Sequence, residues 1–126
     1  YDGIGPLLER LRQAGVRTAV VSNKPDRTTR TLAARFFPEL DGAMGQREGI
    51  ASKPAPDMVR AALDQLHAAP EETLYVGDSE VDVATARNAG LDMIGVAWGF
   101  RGRAALEAAG APLVADTPEQ LLDMLQ

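Results

Sequence analysis

Residues 73–82 read TLYVGDSEVD, a strand pattern that turns directly into a helical one. Thr73 to Val76 reads as a strand, Gly77-Asp78-Ser79 breaks it, and Glu80 opens a helical pattern that runs to Ala89 and stops at Gly90. A strand that turns straight into a helix is the repeating unit of a parallel sheet with right-handed crossovers.

The same alternation continues on both sides. Upstream, residues 5–14 form a predicted helix, with Leu7, Leu8 and Leu11 on one face and Gly15 as its stop. Thr18 to Val21 is a β-branched run that suits a buried strand. Pro25 and Asp26 suit the first turn of a second helix, which the pattern expects to bury Leu32 and Phe36 before Pro38. A short strand near 43–46, a loop through Lys53 and a helix from Pro56 to His67 follow, with Val59, Ala62, Leu63 and Leu66 on the helix's apolar face. Downstream come a strand at Met93–Ala97, a helix at Ala104–Ala109 closed by Gly110, a short strand at Leu113–Ala115, and a last helix capped by Thr117. The predicted class is α/β: a Rossmann-like parallel sheet with helices on both faces, in a single domain spanning residues 1–126.

Composition narrows the function. The chain has 126 residues and a net charge of −5, which argues against a nucleic-acid or anionic-membrane surface. It contains no cysteine, so disulfides, zinc-thiolate sites and thiol nucleophiles are excluded. No apolar run is long enough to span a bilayer and no signal-peptide pattern opens the chain, so a cytoplasmic location is the expectation. The first residue is Tyr1, not Met, and the sequence is read as N-terminally incomplete.

Ligands of parallel α/β sheets bind beyond the carboxyl ends of the strands. Three segments fall there: Ser22-Asn23-Lys24, Ser52-Lys53-Pro54-Ala55-Pro56-Asp57, and Gly77-Asp78-Ser79-Glu80-Val81-Asp82. Ser22 offers a hydroxyl to a phosphate oxygen, and Lys53 a compact positive charge for negative charge that develops in a transition state. Asp78 and Asp82 are hard carboxylates with no His or Cys beside them, which favours Mg²⁺ over zinc. Each has a plainer reading. Ser22-Asn23 also fits a turn, Lys53 a solvated lysine, Asp78 an N-cap and Asp82 an exposed first-turn residue. Their occurrence in order, each at the proper end of its element, favours the phosphate site. His67, Trp98, Phe100, Arg101, Arg103 and Glu80 are read as capping, packing or solvated residues.

These segments resemble the motifs of the haloacid dehalogenase superfamily. VVSNK, residues 20–24, is similar to its second motif; KPAPD, 53–57, to the third motif of its phosphoglycolate-phosphatase-like branch; and GDSEVD, 77–82, to the fourth. GVAWG, 95–99, is similar to the strand and turn that follow. The resemblance implies a phosphatase acting on a small-molecule phosphomonoester through an aspartyl-phosphate with Mg²⁺. Ser22 and Lys53 would be catalytic, Ser22, Asn23 and Lys53 would bind substrate, and Asp78 and Asp82 would serve the metal. The alternatives are a non-catalytic Mg²⁺- or phosphate-binding module and a dehalogenase-type hydrolase.

One element of that pattern is absent: the Asp-x-Asp motif that supplies the nucleophile and the acid/base. The resemblance places its strand between the Ser22 and Asp78 strands, and places a substrate-selecting cap outside this chain as well. Without the strand, two buried strand edges would lack partners. Each orphaned buried group costs about 1–3 kcal/mol, and several together rival the ~5–15 kcal/mol margin of a domain. A preceding N-terminal segment of the same protein is therefore the expected partner.

Overall fold

The computed structural model describes residues 3–99 and 101–125. Its elements are α1 (Ile4–Gln13), β1 (Ala19–Pro25), α2 (Asp26–Phe36), β2 (Gly42–Gln46), α3 (Asp57–Leu66), β3 (Leu74–Gly77), α4 (Glu80–Ala89), β4 (Asp92–Val96), α5 (Gly102–Ala108), β5 (Val114–Ala115) and α6 (Pro118–Leu125). A short 3-10 turn at Pro70–Glu72, which the sequence reading did not anticipate, precedes β3. Strands and helices alternate, and every strand pair among the described residues is parallel. The chain forms two compact units, one closing at Ala68 and the other opening at Ala69. Among the described residues no helix is long and apolar enough to cross a membrane.

In the first unit, β1 and β2 form a two-stranded sheet with Ala19 opposite Gly42 and Val21 opposite Met44. Both α2 and α3 pack on it. A side chain at Gly42 would meet Gln65 and Leu66 of α3, whereas one at Gly45 would meet Thr29 and Asp26 of α2. Positions three apart on a strand point to opposite faces, so the two helices cover opposite faces of this sheet. The helix α2 departs from the sequence pattern. Leu32 is 38% and Phe36 59% exposed, and the buried face belongs to Thr29 and Ala33 instead. The close approach at Gly45 explains it, because only small side chains fit between α2 and β2. Arg35 lies over the outward-facing Phe36 ring at 5.3 Å.

In the second unit the strand order is β3-β4-β5, with Gly77 opposite Gly95 and Gly95 opposite Val114. Its core joins Val83, Ala86, Met93, Leu106 and Val114, with Tyr75 packed against them. Ser79 caps α4 and Gly90 ends it in a left-handed conformation, φ 73°, that glycine adopts without strain. Among the described residues β1 pairs only with β2, and β3 only with β4, so each keeps one edge without a ladder partner.

Candidate active site

Ser22, Asn23 and Lys24 occupy an irregularity in β1. The ladder runs in step as far as Val21–Met44 and resumes at Pro25–Gln46. Three residues of β1 therefore face one residue of β2, Gly45. Such bulges re-aim side chains and free backbone groups next to functional sites. The bulge is held in place by Asp26, whose Oδ1 accepts the Gly45 N–H at 2.9 Å and whose Oδ2 accepts from Arg30 Nε at 2.7 Å. The Gly45 N–H first, and then Arg30, hold the Asp26 carboxyl below the usual carboxylate range. Sequence reading gave Asp26 only a helix-start role.

Within the bulge, Ser22 Oγ accepts the Lys24 N–H at 3.1 Å. A hydroxyl carries one proton and two lone pairs, so this bond occupies a lone pair and leaves the proton for an acceptor such as a phosphate oxygen. Asn23 Oδ1 accepts the Lys53 N–H at 2.9 Å, and Asn23 Nδ2 donates to the Lys53 carbonyl at 3.3 Å. The structure thus brings Ser22, Asn23 and the Lys53 backbone together at the carboxyl end of β1. An open groove of about 380 Å³ in the same unit, lined by Phe37, Pro38, Leu40 and Asp41, lies instead at the start of β2.

In the second unit the acidic turn is built around Asp82, which is buried at 6% exposure. Its Oδ1 accepts from the Tyr75 phenol at 2.7 Å. Its Oδ2 accepts the Asp78 N–H at 3.0 Å and the Ser79 hydroxyl at 3.1 Å. Ser79 Oγ in turn accepts the Asp82 N–H at 3.4 Å, which caps α4. A buried carboxylate needs such donors to offset its lost hydration. Glycine at position 77 is required here, because a Cβ there would overlap the Asp82 carboxyl.

The Asp78 carboxyl lies against the backbone of Gly99, where a Cβ would fall 2.7 Å from its Cγ. Among the described residues no hydrogen bond or ion pair occupies the Asp78 carboxylate. Nor does any group of three or more His, Cys, Asp or Glu side chains form a ready metal cage among them. A single hard carboxylate at a strand end nonetheless suits Mg²⁺, which keeps several waters and binds through one or two carboxylates plus phosphate.

Tyr75, which sequence reading did not single out, holds the acidic turn through Asp82. Side chains two apart on a strand share a face, so Tyr75 lies on the same face as Gly77, where the Asp82 carboxyl sits. That spacing was the available signal. Burial, and then the Asp82 carboxylate, push the Tyr75 phenol well above its ordinary ionisation range.

His67, Arg103, Glu80 and Arg101, set aside in the sequence, have structural partners. His67 caps α3 in a left-handed conformation, φ 54°, and its carbonyl and that of Leu66 accept from the Arg17 guanidinium. Arg103 donates to Asp116 at 2.8 and 3.0 Å and to the Val114 carbonyl at 3.1 Å. Glu80 and Arg101 form an exposed ion pair at 3.4 Å, a weak contact in water. Trp98 is half-buried, and Phe100 lies outside the described residues.

The haloacid dehalogenase-like hydrolase family matches residues 1–90. The chain is 39% identical over 114 residues to the tyrosine-protein kinase PtkA of Mycobacterium tuberculosis, covering 82% of this chain and 36% of that protein. It is 34% identical over 107 residues to a phosphoglycolate phosphatase of Xanthomonas campestris, covering 80% of this chain and 47% of that protein. A crystal structure from Lactobacillus delbrueckii, named as a candidate phosphoglycolate phosphatase, superposes with a TM-score of 0.96 at 43% identity, covering 99% of this chain and 53% of that one. The chain thus spans about half the length, or less, of these relatives. With the family match covering residues 1–90, this chain belongs to the haloacid dehalogenase-like hydrolase family.

Proposed function

We propose that the protein carrying this chain is a phosphatase that hydrolyses a small, phosphoglycolate-like phosphomonoester through an aspartyl-phosphate, with Mg²⁺. The observation that carries this reading is the acidic turn after β3. Asp82, Ser79 and Tyr75 satisfy one another there, and the carboxylate left open is that of Asp78. The relatives support the chemistry at the level of the phosphoryl group, since kinase and phosphatase alike move one.

In this reading Ser22 donates its remaining proton to a phosphoryl oxygen, with Asn23 beside it. Lys53 stabilises the charge that grows on that group. Asp78 holds Mg²⁺, and Asp82 supports it by fixing the turn. When bound, the metal offsets repulsion between the attacking carboxylate and the phosphate.

The nucleophile and the acid/base are assigned to a segment outside these residues. The carboxylate oxygen attacks phosphorus, the ester P–O bond breaks, and the leaving oxygen takes a proton from the acid. Water, giving a proton to that same acid/base group, then attacks phosphorus, the acyl-phosphate P–O bond breaks, and free phosphate leaves. The ladder edges of β1 and β3 that lack partners among the described residues support an additional strand from that segment.

Acid-quenching the whole protein during turnover and mapping the acyl phosphate by mass spectrometry tests the assignment. The label is expected on an aspartate outside residues 1–126. A label on Asp78 or Asp82 would refute it.

A further inference from the structure

We infer that Asn23 is a positioning residue whose task is to set the reach of Lys53, rather than a group that reads the substrate. The inference rests on the phosphatase reading above for what Lys53 does, but its geometry stands apart from that reading.

One side-chain amide meets both polar groups of one residue's backbone: Oδ1 takes the Lys53 N–H at 2.9 Å, and Nδ2 gives to the Lys53 carbonyl at 3.3 Å. This is the two-point contact that a neighbouring strand would make, supplied here by a side chain. It fixes the amide's orientation, because the N–H requires the oxygen and the carbonyl requires the nitrogen. It also fixes the backbone on which the Lys53 side chain is mounted.

A lysine side chain is a flexible four-carbon stem with a point charge at its end. The position of that charge depends on where its backbone is anchored. Positions 51–53 lie outside helix and strand, so no ladder supplies the anchor. Asn23 supplies it from the bulge that also presents Ser22. The hydroxyl and the lysine backbone are therefore referenced to the same short segment of β1, although 30 residues separate Asn23 from Lys53. A small misplacement of a charged group from its reacting position lowers catalysis sharply.

A double-mutant cycle tests this on the whole protein, with p-nitrophenyl phosphate and Mg²⁺ as substrate and cofactor. Asn23→Ala is expected to lower kcat by about tenfold or more and leave KM within about twofold, since positioning acts in the transition state. In a Lys53→Ala background the same change is expected to matter by less than about twofold, because the group it positions is gone. An equal loss in both backgrounds, or a rise in KM alone, would mean that Asn23 contacts the substrate directly and would overturn the inference. Amide hydrogen exchange at Lys53 gives a readout independent of turnover. Loss of about one hydrogen bond's worth of protection should speed it by about fivefold in Asn23→Ala. If Lys53 exchange is unchanged, the inference fails whether or not the protein is a phosphatase. A wild-type protein without phosphatase activity would sink the functional reading while the exchange result still decided the geometry.

Discussion

The phenol of Tyr75 donates to Oδ1 of Asp82 at 2.7 Å, joining the middle of β3 to the first turn of α4. Through Asp82 Oδ2 the same carboxylate holds the Asp78 backbone N–H at 3.0 Å. Tyr75 therefore steadies, through Asp82, the turn that presents Asp78. Tyr75→Phe leaves a buried carboxylate one donor short and is expected to cost about 1–3 kcal/mol in denaturant unfolding. An unchanged midpoint would mean that water replaces the phenol.

The same pair predicts a pH dependence. The Tyr75 ionisation is raised in the folded state, by burial first and by Asp82 second. A raised pKa means that the folded form keeps its proton where the unfolded chain, titrating near its ordinary value of about 10, has lost it. The contribution is complete below about pH 10 and declines as pH rises above it. The stability difference between wild type and Tyr75→Phe should therefore hold steady up to about pH 9 and shrink beyond about pH 10. A difference that grew in that window would have the wrong sign for this account.

Gly99 is the wall against which the Asp78 carboxyl rests. Gly99→Ala should displace that carboxyl and weaken Mg²⁺ binding to the whole protein by about tenfold or more. Calorimetric titration of Mg²⁺ measures this. Equal affinity in the variant would remove Asp78 from the metal's coordination.

Gly45 is where β2 passes beneath the Ser22 bulge. A Cβ there would run into Thr29 Oγ1, the Lys24 carbonyl and Asp26 Cα. Gly45→Ala is expected to destabilise by about 1–3 kcal/mol, as overpacking does. Gly49→Ala serves as a control free of that collision, since nothing lies within 4 Å of a Cβ at Gly49, although its φ of 85° brings backbone strain of its own. A smaller loss at Gly45 than at Gly49 would contradict the close approach.

Most of the fold was legible because strand and helix periods alternate cleanly and glycines punctuate them. The helix from Glu80 to Ala89 and its stop at Gly90 lie where the pattern put them. The buried face of α2 was not legible. Hydrophobicity favoured Leu32 and Phe36, but the narrow gap at Gly45 selects Thr29 and Ala33, and that gap is a tertiary fact. At the candidate site the residue types were legible and their partners were not. Nothing local in the sequence ties Asn23 to the Lys53 backbone, because the tie depends on how residues 47–56 return to β1. The Tyr75–Asp82 bond was open to a careful reading, since strand alternation places Tyr75 and Gly77 on one face.

On the proposed reading, residues 1–126 bind the phosphoryl group and Mg²⁺ while the attacking carboxylate comes from elsewhere. Mg²⁺-dependent hydrolysis of p-nitrophenyl phosphate, compared between residues 1–126 alone and the whole protein, tests it most directly. The account predicts no turnover from residues 1–126, and turnover by the whole protein that Lys53→Ala and Asp78→Asn each reduce by about a hundredfold or more. Robust turnover by residues 1–126 alone, or a whole protein indifferent to Asp78→Asn, would contradict it.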